Sequence, residues 1–237
     1  DSEGGSSTST RRTIRQPFRV AGMAAAQRTV TLRPTDPEAG EVVAAAGLTQ
    51  RFDAIRAEQE VPEEFPADVL AEAERVAAQP LSRPETDLTD LPFVTIDPPG
   101  SMDLDQAMHL SREGDGYRVR YAIAHLESFV EPGGAIDAEA RRRGQTIYAP
   151  DTRTPLHPPV LSEGAASLLP DGERPAALWR FRLDKDGVVQ ESGVRRARVR
   201  SIAQLTYEQT QRDFESGTPH ESLALLQEVG ERRLALA

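Results

Sequence analysis

An apolar run that ends in a tight turn and a cluster of acids is the feature that most constrains this chain. The run covers residues 91–96 and meets a Pro-Pro-Gly turn at residues 98–100, which is typical of a strand that leads into a loop. Asp97, Asp103 and Asp105 lie within nine residues of one another, and the turn folds the last two back toward the first. Carboxylates crowded in this way repel one another and raise their own pKa values, so we expect a cation among them.

The oxygen atoms of this loop predict which metal would bind there. Carboxylates without a His or Cys in the loop favour magnesium or manganese over zinc. Two other interpretations stay open from the residues alone. An Asp that follows a strand often bonds its own backbone in a turn, and some Asp-rich loops bind calcium. A calcium loop is disfavoured, because Met108 stands where that motif requires glycine.

The string at residues 95–107 resembles the catalytic signature of the RNB family, the exoribonucleases of the ribonuclease II and ribonuclease R type. Asp97, Asp103 and Asp105 match the first three acids of that signature, while Gln106 occupies its fourth acidic position. Four later segments resemble the next blocks of the family in the same order, namely residues 121–130, 138–148, 155–170 and 198–207.

The resemblance extends from about Leu88 to the last residue and implies both a fold and a function. The implied fold is α+β, with the mixed, mainly antiparallel sheet or partial barrel of the RNB catalytic domain and helices around it. The implied function is a magnesium-dependent, processive 3′→5′ exoribonuclease that hydrolyses single-stranded RNA to 5′-nucleoside monophosphates. Gln106 and His125 replace family acids and favour an alternative, a non-catalytic RNB-like RNA-binding protein or an inactive fragment.

The resemblance also gives the residues of the acidic loop their roles. Asp97, Asp103 and Asp105 would be the catalytic acids, and Asp105 matches the indispensable one. Together with Gln106 they would hold Mg²⁺, or Mn²⁺ in its place, directly or through water. Two such ions can neutralise a phosphate, activate a water and stabilise the leaving oxygen. The amide of Gln106 would bind a metal more weakly than the acid that it replaces.

Contacts with RNA are predicted at one aromatic residue and three arginines. Tyr148 matches the family tyrosine that positions the 3′-terminal nucleotide, since an aromatic ring can stack on any base. A core tyrosine beside Ile147 is the alternative. Arg141, Arg196 and Arg198 are candidates for phosphate contacts, the last two on one side of a strand. The alternatives are a helix end, where cations favour the dipole, and a solvated strand face.

Composition limits the class of protein and its compartment. The formal net charge of −10 argues against a protein with a basic nucleic-acid-binding face, but an RNA channel needs positive charge only along its lining. The absence of Cys excludes disulfides and suits a reducing cytoplasm, where we expect the protein. No apolar run is long enough to span a membrane, so no membrane partner is expected. The resemblance to the RNB family implies single-stranded RNA as the partner.

The sequence divides into three regions. Residues 1–22 are rich in Ser, Thr and Gly and predict a disordered tail. Residues 23–85 predict a short helical N-terminal region, in which Gly47 breaks the first helix and Phe65 precedes the second. Residues 86–237 resemble the N-terminal part of the RNB catalytic domain.

The last helix is predicted to begin with a capping box at Thr218 and to reach Ala237 without a stop signal. The arginine and glutamate that the family uses further along are not found before this residue. We therefore expect the domain to continue beyond Ala237, and the chain alone to lack a complete active site.

Overall fold

The computed structural model describes residues 40–80 and 86–236. Residues 49–237 form one compact unit, and residues 1–48 form a second unit of which only the last part is described. The predicted disordered tail, residues 1–22, lies outside the described residues. None of the helices in the described part of the chain is long and apolar enough to cross a membrane.

The described residues begin with two helices and end with two, and the strands lie between them with one further helix. The helices are α1 (Gly40–Glu58), α2 (Ala67–Ala77), α3 (Ala135–Arg143), α4 (Tyr207–Ser216) and α5 (Leu226–Leu234). The strands are β1 (Thr86–Ile96), β2 (Gln106–Glu113), β3 (Gly116–Ala124), β4 (Ile147–Tyr148), β5 (Arg153–Thr154), β6 (Glu173–Leu183) and β7 (Val189–Leu205). Short helical turns lie at Leu126–Ser128, Leu161–Ala165 and Glu221–Leu223.

Five of the strands close into a barrel in the order β1-β2-β3-β6-β7. Neighbouring strands in this barrel are antiparallel except for β1 and β7, which run parallel. The predicted α+β fold, with its mixed and mainly antiparallel sheet or partial barrel, is therefore confirmed, and the barrel is closed. β4 and β5 form a separate two-stranded sheet.

The turn residues at 113–116 and 184–187, which predict hairpins from the sequence alone, connect two pairs of barrel strands. Gly114 lies at φ +60° between β2 and β3, and Gly187 lies at φ +84° between β6 and β7, where other residues are rarely found. In the second turn, Asp184 Oδ1 accepts hydrogen bonds from the N–H groups of Asp186 at 3.0 Å and Val188 at 2.9 Å. Both hairpins confirm the sequence prediction.

The interior of the barrel is narrow and apolar. Because barrel diameter falls with strand number, a five-stranded barrel has room mainly for small side chains, and alanine fills four of the nine core positions. The buried cluster consists of Phe93, Leu104, Ala107, Ala122, Leu168, Ala176, Leu178, Ala197 and Val199. Leu104 belongs to the acidic loop, so the core and the candidate site share a residue.

The two helices before the barrel match the prediction in part. α1 runs through Gly47 without interruption, so the predicted break is wrong. One interior glycine costs a helix only about 1 kcal/mol relative to alanine, which is too little to end it. α2 forms as predicted and buries Val69, Ala73 and Val76. The sequence pattern also places Leu70 on the apolar side of this helix, but its side chain is 41% exposed.

The C-terminal segment forms a short turn and a separate helix, so the single helix predicted from Thr218 is wrong. His220 Nδ1 accepts a hydrogen bond from the N–H of Ser222 at 3.2 Å. The hydroxyl of Ser222 donates to the carbonyl of Pro92, which attaches this turn to β1 and interrupts the helix. α5 follows and buries Val229 in a second apolar cluster, together with residues of β2 and β3.

Arg143 is the member of the arginine run 141–143 that stabilises the fold. Its side chain is 1% exposed and forms an ion pair with Glu139 at 2.7 Å. The guanidinium also donates to two backbone carbonyls, at 2.6 and 3.2 Å, and lies 3.8 Å from the ring centre of Phe65. Arg143 therefore links α3 to the segment before α2 and is not free to bind a ligand.

We expect the variant Arg143→Ala to lose about 3 kcal/mol of unfolding free energy, because the buried Glu139 carboxylate loses its buried cation and keeps the ion pair with Arg142, whose side chain is 56% exposed. The variant also leaves two backbone carbonyls without their donor. The matched control is Arg141→Ala, whose side chain is 78% exposed and should change stability by less than about 0.5 kcal/mol. Urea denaturation followed by circular dichroism measures both. Equal effects of the two variants would contradict the structural role of Arg143.

Candidate active site

The acidic loop joins β1 to β2 at one end of the barrel. The N–H of Asp97 donates to the carbonyl of Leu205 at 3.0 Å, so the first acid is still held by pairing with β7. The N–H of Ser101 then donates to the carbonyl of Pro98 at 3.2 Å, and Gly100 takes φ +80°. The loop is therefore the tight turn that the sequence predicts.

Ser167 fixes the backbone of the loop between its second and third acids. Its hydroxyl accepts a hydrogen bond from the N–H of Leu104 at 2.9 Å and donates to the carbonyl of Met102 at 2.6 Å. The N–H of Leu168 donates to the carbonyl of Leu104 at 2.9 Å, and Arg174 Nε donates to the carbonyl of Ser167 at 2.9 Å. Sequence reasoning missed Ser167, for which the only signal is the family-like block at residues 155–170.

The carboxylates of the loop perturb one another, as predicted from their crowding. Burial, and then the charges of Asp105 and Asp103, raise the pKa of Asp97 above its ordinary value. Burial and the charge of Asp103 raise the pKa of Asp105 in the same way. The loop thus concentrates negative charge where water screens it incompletely.

The prediction that the three acids converge on one point is wrong for this structure. Within residues 40–80 and 86–236, no three His, Cys, Asp or Glu side chains form a group that could hold a single metal ion. Asp103 is instead paired with a cation of the chain itself, since Arg153 Nη1 lies 2.6 Å from Asp103 Oδ2. Arg153 also pairs with Glu163, so one guanidinium joins two acids.

Gln106 begins β2 and accepts a hydrogen bond at Oε1 from the hydroxyl of Tyr121. Burial, and then the neighbouring Tyr207 and Asp97, raise the pKa of Tyr121, so this phenol keeps its proton at neutral pH. Tyr207 is 50% exposed beside this group. Neither tyrosine follows from the acidic loop motif, although both lie within the segments that resemble family blocks.

A cleft of about 430 Å³ opens next to the loop, and its wall contains several of the predicted site residues. Asp103, Asp105 and Gln106 line it, and so does Tyr148. Asp97 is not part of the wall, and the charges of Asp105 and Asp103 act on its pKa. The remaining wall residues are Ile123, Ala124, Leu126, Thr146, Arg153, Pro155, Leu156, His157, Ser162 and Ala166.

Tyr148 is 73% exposed on β4, which excludes the alternative of a core tyrosine. β4 pairs with β5 so that Tyr148 stands opposite Arg153. The ring therefore lies beside the guanidinium that binds Asp103, on the same cleft. An exposed ring in this position can stack on a base.

The three arginines predicted to contact RNA lie outside the wall of this cleft. Arg196 and Arg198 do share one side of β7, as predicted, since the intervening Ala197 is buried. Arg198 is held between two carboxylates, at residues 87 and 173, and Arg196 is 72% exposed. Arg141 is exposed on α3 and bonds an acid one turn earlier. Their contacts with RNA stay predictions.

His125 stands where the family has an acid, and its ring makes local contacts. Nδ1 lies 2.7 Å from the hydroxyl of Ser128, and Nε2 lies 3.4 Å from Glu127 Oε2. The ring is not part of the cleft wall, so it gives the acidic loop no additional ligand.

Comparison with known proteins identifies the family that this arrangement belongs to. The family model described as the RNB domain matches residues 85–233. Ribonuclease R of Chlamydia muridarum is 30% identical over 184 residues, which are 76% of this chain and 27% of that protein. Exoribonuclease 2 of Proteus mirabilis is 35% identical over 161 residues, which are 63% of this chain and 25% of that protein. The chain thus spans about a quarter of the length of these relatives.

A solved structure shows the same fold. Mycoplasma genitalium RNase R, in complex with ribose-methylated single-stranded RNA, has a TM-score of 0.72 and 24% identity. The match covers 78% of this chain and 31% of that one. The barrel and its surrounding helices are therefore the fold of this part of that protein.

We expect Asp97→Asn to stabilise the chain when a chelator is present, because the amide removes a charge that burial and neighbouring acids disfavour. The folded state binds the proton of Asp97 more tightly than the unfolded state does. The contribution of Asp97 to the stability of the wild type therefore falls as pH rises from the ordinary pKa of 3.8 through the raised pKa, and it stays low above that pH. The advantage of the variant should grow over the same pH range.

Urea denaturation in EDTA at several pH values between about 3.5 and 7.5 measures this difference across the titration. Asp115→Asn, in the exposed turn between β2 and β3, is the control and should show no such growth. A destabilised Asp97→Asn at pH 7, or an advantage independent of pH, would contradict the inferred repulsion.

Proposed function

Because the chain belongs to the RNB domain family, we propose that it acts as a magnesium-dependent, processive 3′→5′ exoribonuclease on single-stranded RNA. It releases 5′-nucleoside monophosphates, and it works in the cytoplasm, with which the absence of Cys is compatible. One observation carries the proposal. A single cleft has Asp103 and Asp105 on its wall together with the exposed ring of Tyr148, so acids and a base platform face the same space.

The donor set fits a hard divalent cation. Magnesium usually keeps several waters and takes only one or two carboxylates from a protein, so it does not require three converging acids. Asp103 and Asp105 would hold it, with Asp97 acting through water and Gln106 offering its amide oxygen. Bound magnesium would polarise the phosphate and lower the pKa of an attacking water. The raised pKa values of Asp97 and Asp105 support the same assignment, since nearby positive charge would relieve their repulsion.

The residues of the cleft have separate tasks in this reaction. Tyr148 orients the terminal base by stacking, which positions the last phosphodiester at the acids. Arg153 holds Asp103 at 2.6 Å and brings positive charge to the place where the phosphate would lie. Ser167 keeps the backbone of the loop in register, so that Asp105 stays aimed into the cleft.

A non-catalytic RNA-binding protein is the second candidate, and two contacts favour it. Gln106 replaces an acid and is engaged by the hydroxyl of Tyr121. Arg153 already compensates Asp103 and Glu163. In this alternative the cleft binds an RNA end without cleaving it, so the two functions differ in turnover and not in RNA affinity.

The variant Asp105→Asn tests the enzymatic proposal. In a polypeptide that contains residues 85–233, we expect it to abolish release of 5′-monophosphates from 3′-labelled single-stranded RNA, while affinity for the RNA stays within about threefold. It should also weaken Mn²⁺ binding, followed by electron paramagnetic resonance, by at least about tenfold, because a carboxylate ligand is lost. Asp115→Asn is the control for charge.

Turnover that EDTA leaves unchanged, or wild-type turnover by Asp105→Asn, would refute the assignment. Bound Mn²⁺ and RNA without turnover in any such polypeptide would select the non-catalytic alternative.

A second prediction concerns the base platform. Tyr148→Ala should lengthen the shortest RNA product and leave stability unchanged, because a ring that is 73% exposed contributes little to the core. Tyr148→Phe keeps the stacking surface and should behave as the wild type. Denaturing gel analysis of a 5′-labelled RNA measures the product length. If Tyr148→Ala gave the same end product as Tyr148→Phe, the ring would not position the base.

A further inference from the structure

Four arginines form a compact grid on β3 and β6, away from the cleft. Arg120 stands opposite Arg180 in the strand register, and Arg118 stands opposite Arg182. All four lie on the same face of the sheet as the core residue Ala122, because successive residues of a strand alternate between its two faces. None of them belongs to the wall of the cleft.

Like charges directly opposite one another on a sheet are destabilising unless something compensates them. Two of the four are compensated by carboxylates. Arg118 Nε donates to Glu113 Oε2 at 2.8 Å, and Arg182 Nε lies 3.6 Å from Glu191 Oε2. Arg120 and Arg180, which stand opposite each other, form no ion pair with any of the described residues.

Arg120 and Arg180 are both half-buried, which makes their uncompensated charge more costly. Arg120 Nη1 lies 3.2 Å from His109 Nδ1 and 3.2 Å from the hydroxyl of Ser111, which are neutral partners. Burial, and then the charge of Arg118, lower the pKa of Arg120, and Arg180 adds to this effect. Glu113 opposes it, but that carboxylate is already held by Arg118.

Arg180 has donor capacity that the described residues leave unused. Its Nε is buried and has no hydrogen-bond partner there. On β7 the residue opposite is Gly193, and a Cβ added to it would lie 3.7 Å from Arg180 Nη2. The residue opposite Arg180 on that strand therefore places no side chain against the guanidinium.

We propose that Arg120 and Arg180 together bind a phosphate group, with the hydroxyl of Ser111 as a further donor. A phosphate dianion would compensate both cations. Guanidinium groups suit this task, because their N–H donors match phosphate oxygens in pairs. The phosphate can belong to an RNA backbone or to a free mononucleotide or inorganic phosphate, since the chemistry of recognition is the same.

Equilibrium dialysis with labelled inorganic phosphate tests the site in the full chain. We expect Arg180→Gln and Arg120→Gln each to weaken binding by at least about tenfold, since each removes a charged donor pair. Arg75→Gln makes the same charge change at an exposed position of α2 and should alter binding by less than about twofold.

The thermal unfolding midpoint gives an independent measurement. Without phosphate, Arg180→Gln should melt at a higher temperature than the wild type, because it removes the repulsion with Arg120. Phosphate should raise the melting temperature of the wild type and of Arg75→Gln, but not that of Arg180→Gln. Phosphate that binds equally to all variants, or no saturable phosphate binding to the wild type, would overturn the proposal. So would destabilisation of both Arg120→Gln and Arg180→Gln in its absence.

The source of the phosphate follows from two further titrations in an Asp105→Asn background, which prevents hydrolysis. If single-stranded RNA loses affinity in Arg180→Gln by the same factor as inorganic phosphate, the site holds a backbone phosphate. If only adenosine 5′-monophosphate and inorganic phosphate lose affinity, the site holds a free ligand. Both outcomes support a phosphate site, and neither depends on whether the chain is an enzyme.

Discussion

The hydroxyl of Ser167 is the contact on which the candidate site depends. The acidic loop places three carboxylates near one another, and their repulsion would open an unsupported turn. Ser167 opposes this by bonding the backbone on both sides of Asp103, at Leu104 N and Met102 O. Because Leu104 is also a core residue of the barrel, the loop is attached by packing as well as by hydrogen bonds. The electrostatic cost of the site is thus offset by the barrel that carries it.

Short sequence patterns correctly predicted the features that depend on residues close together in the chain. The turn after β1 and the hairpin between β2 and β3 follow from glycine and proline positions. Burial is the main cause of the raised pKa values of Asp97 and Asp105, and the crowding of acids that the sequence shows adds to it. The fold class and the shared cleft of Asp105 and Tyr148 came from resemblance to a family and not from these patterns.

What the sequence did not predict are contacts between distant residues. Arg153 reaches Asp103 across 50 positions and pairs one acid of the loop with a cation. Ser167 bonds Leu104 across 63 positions. The bond from Ser222 to Pro92 interrupts the predicted last helix, and no local signal marks it. Each of these three side chains bonds a residue that only the tertiary fold brings close to it.

The pairing of β4 with β5 has a consequence for anyone who would re-engineer this cleft. Each strand is two residues long, and Tyr148 and Arg153 are direct partners in it. A substitution that tilts this ribbon to admit a different base also moves the counter-ion of Asp103. Specificity and the reactivity of the acids are therefore not independent design variables, and libraries that randomise one of these two positions should randomise the other as well.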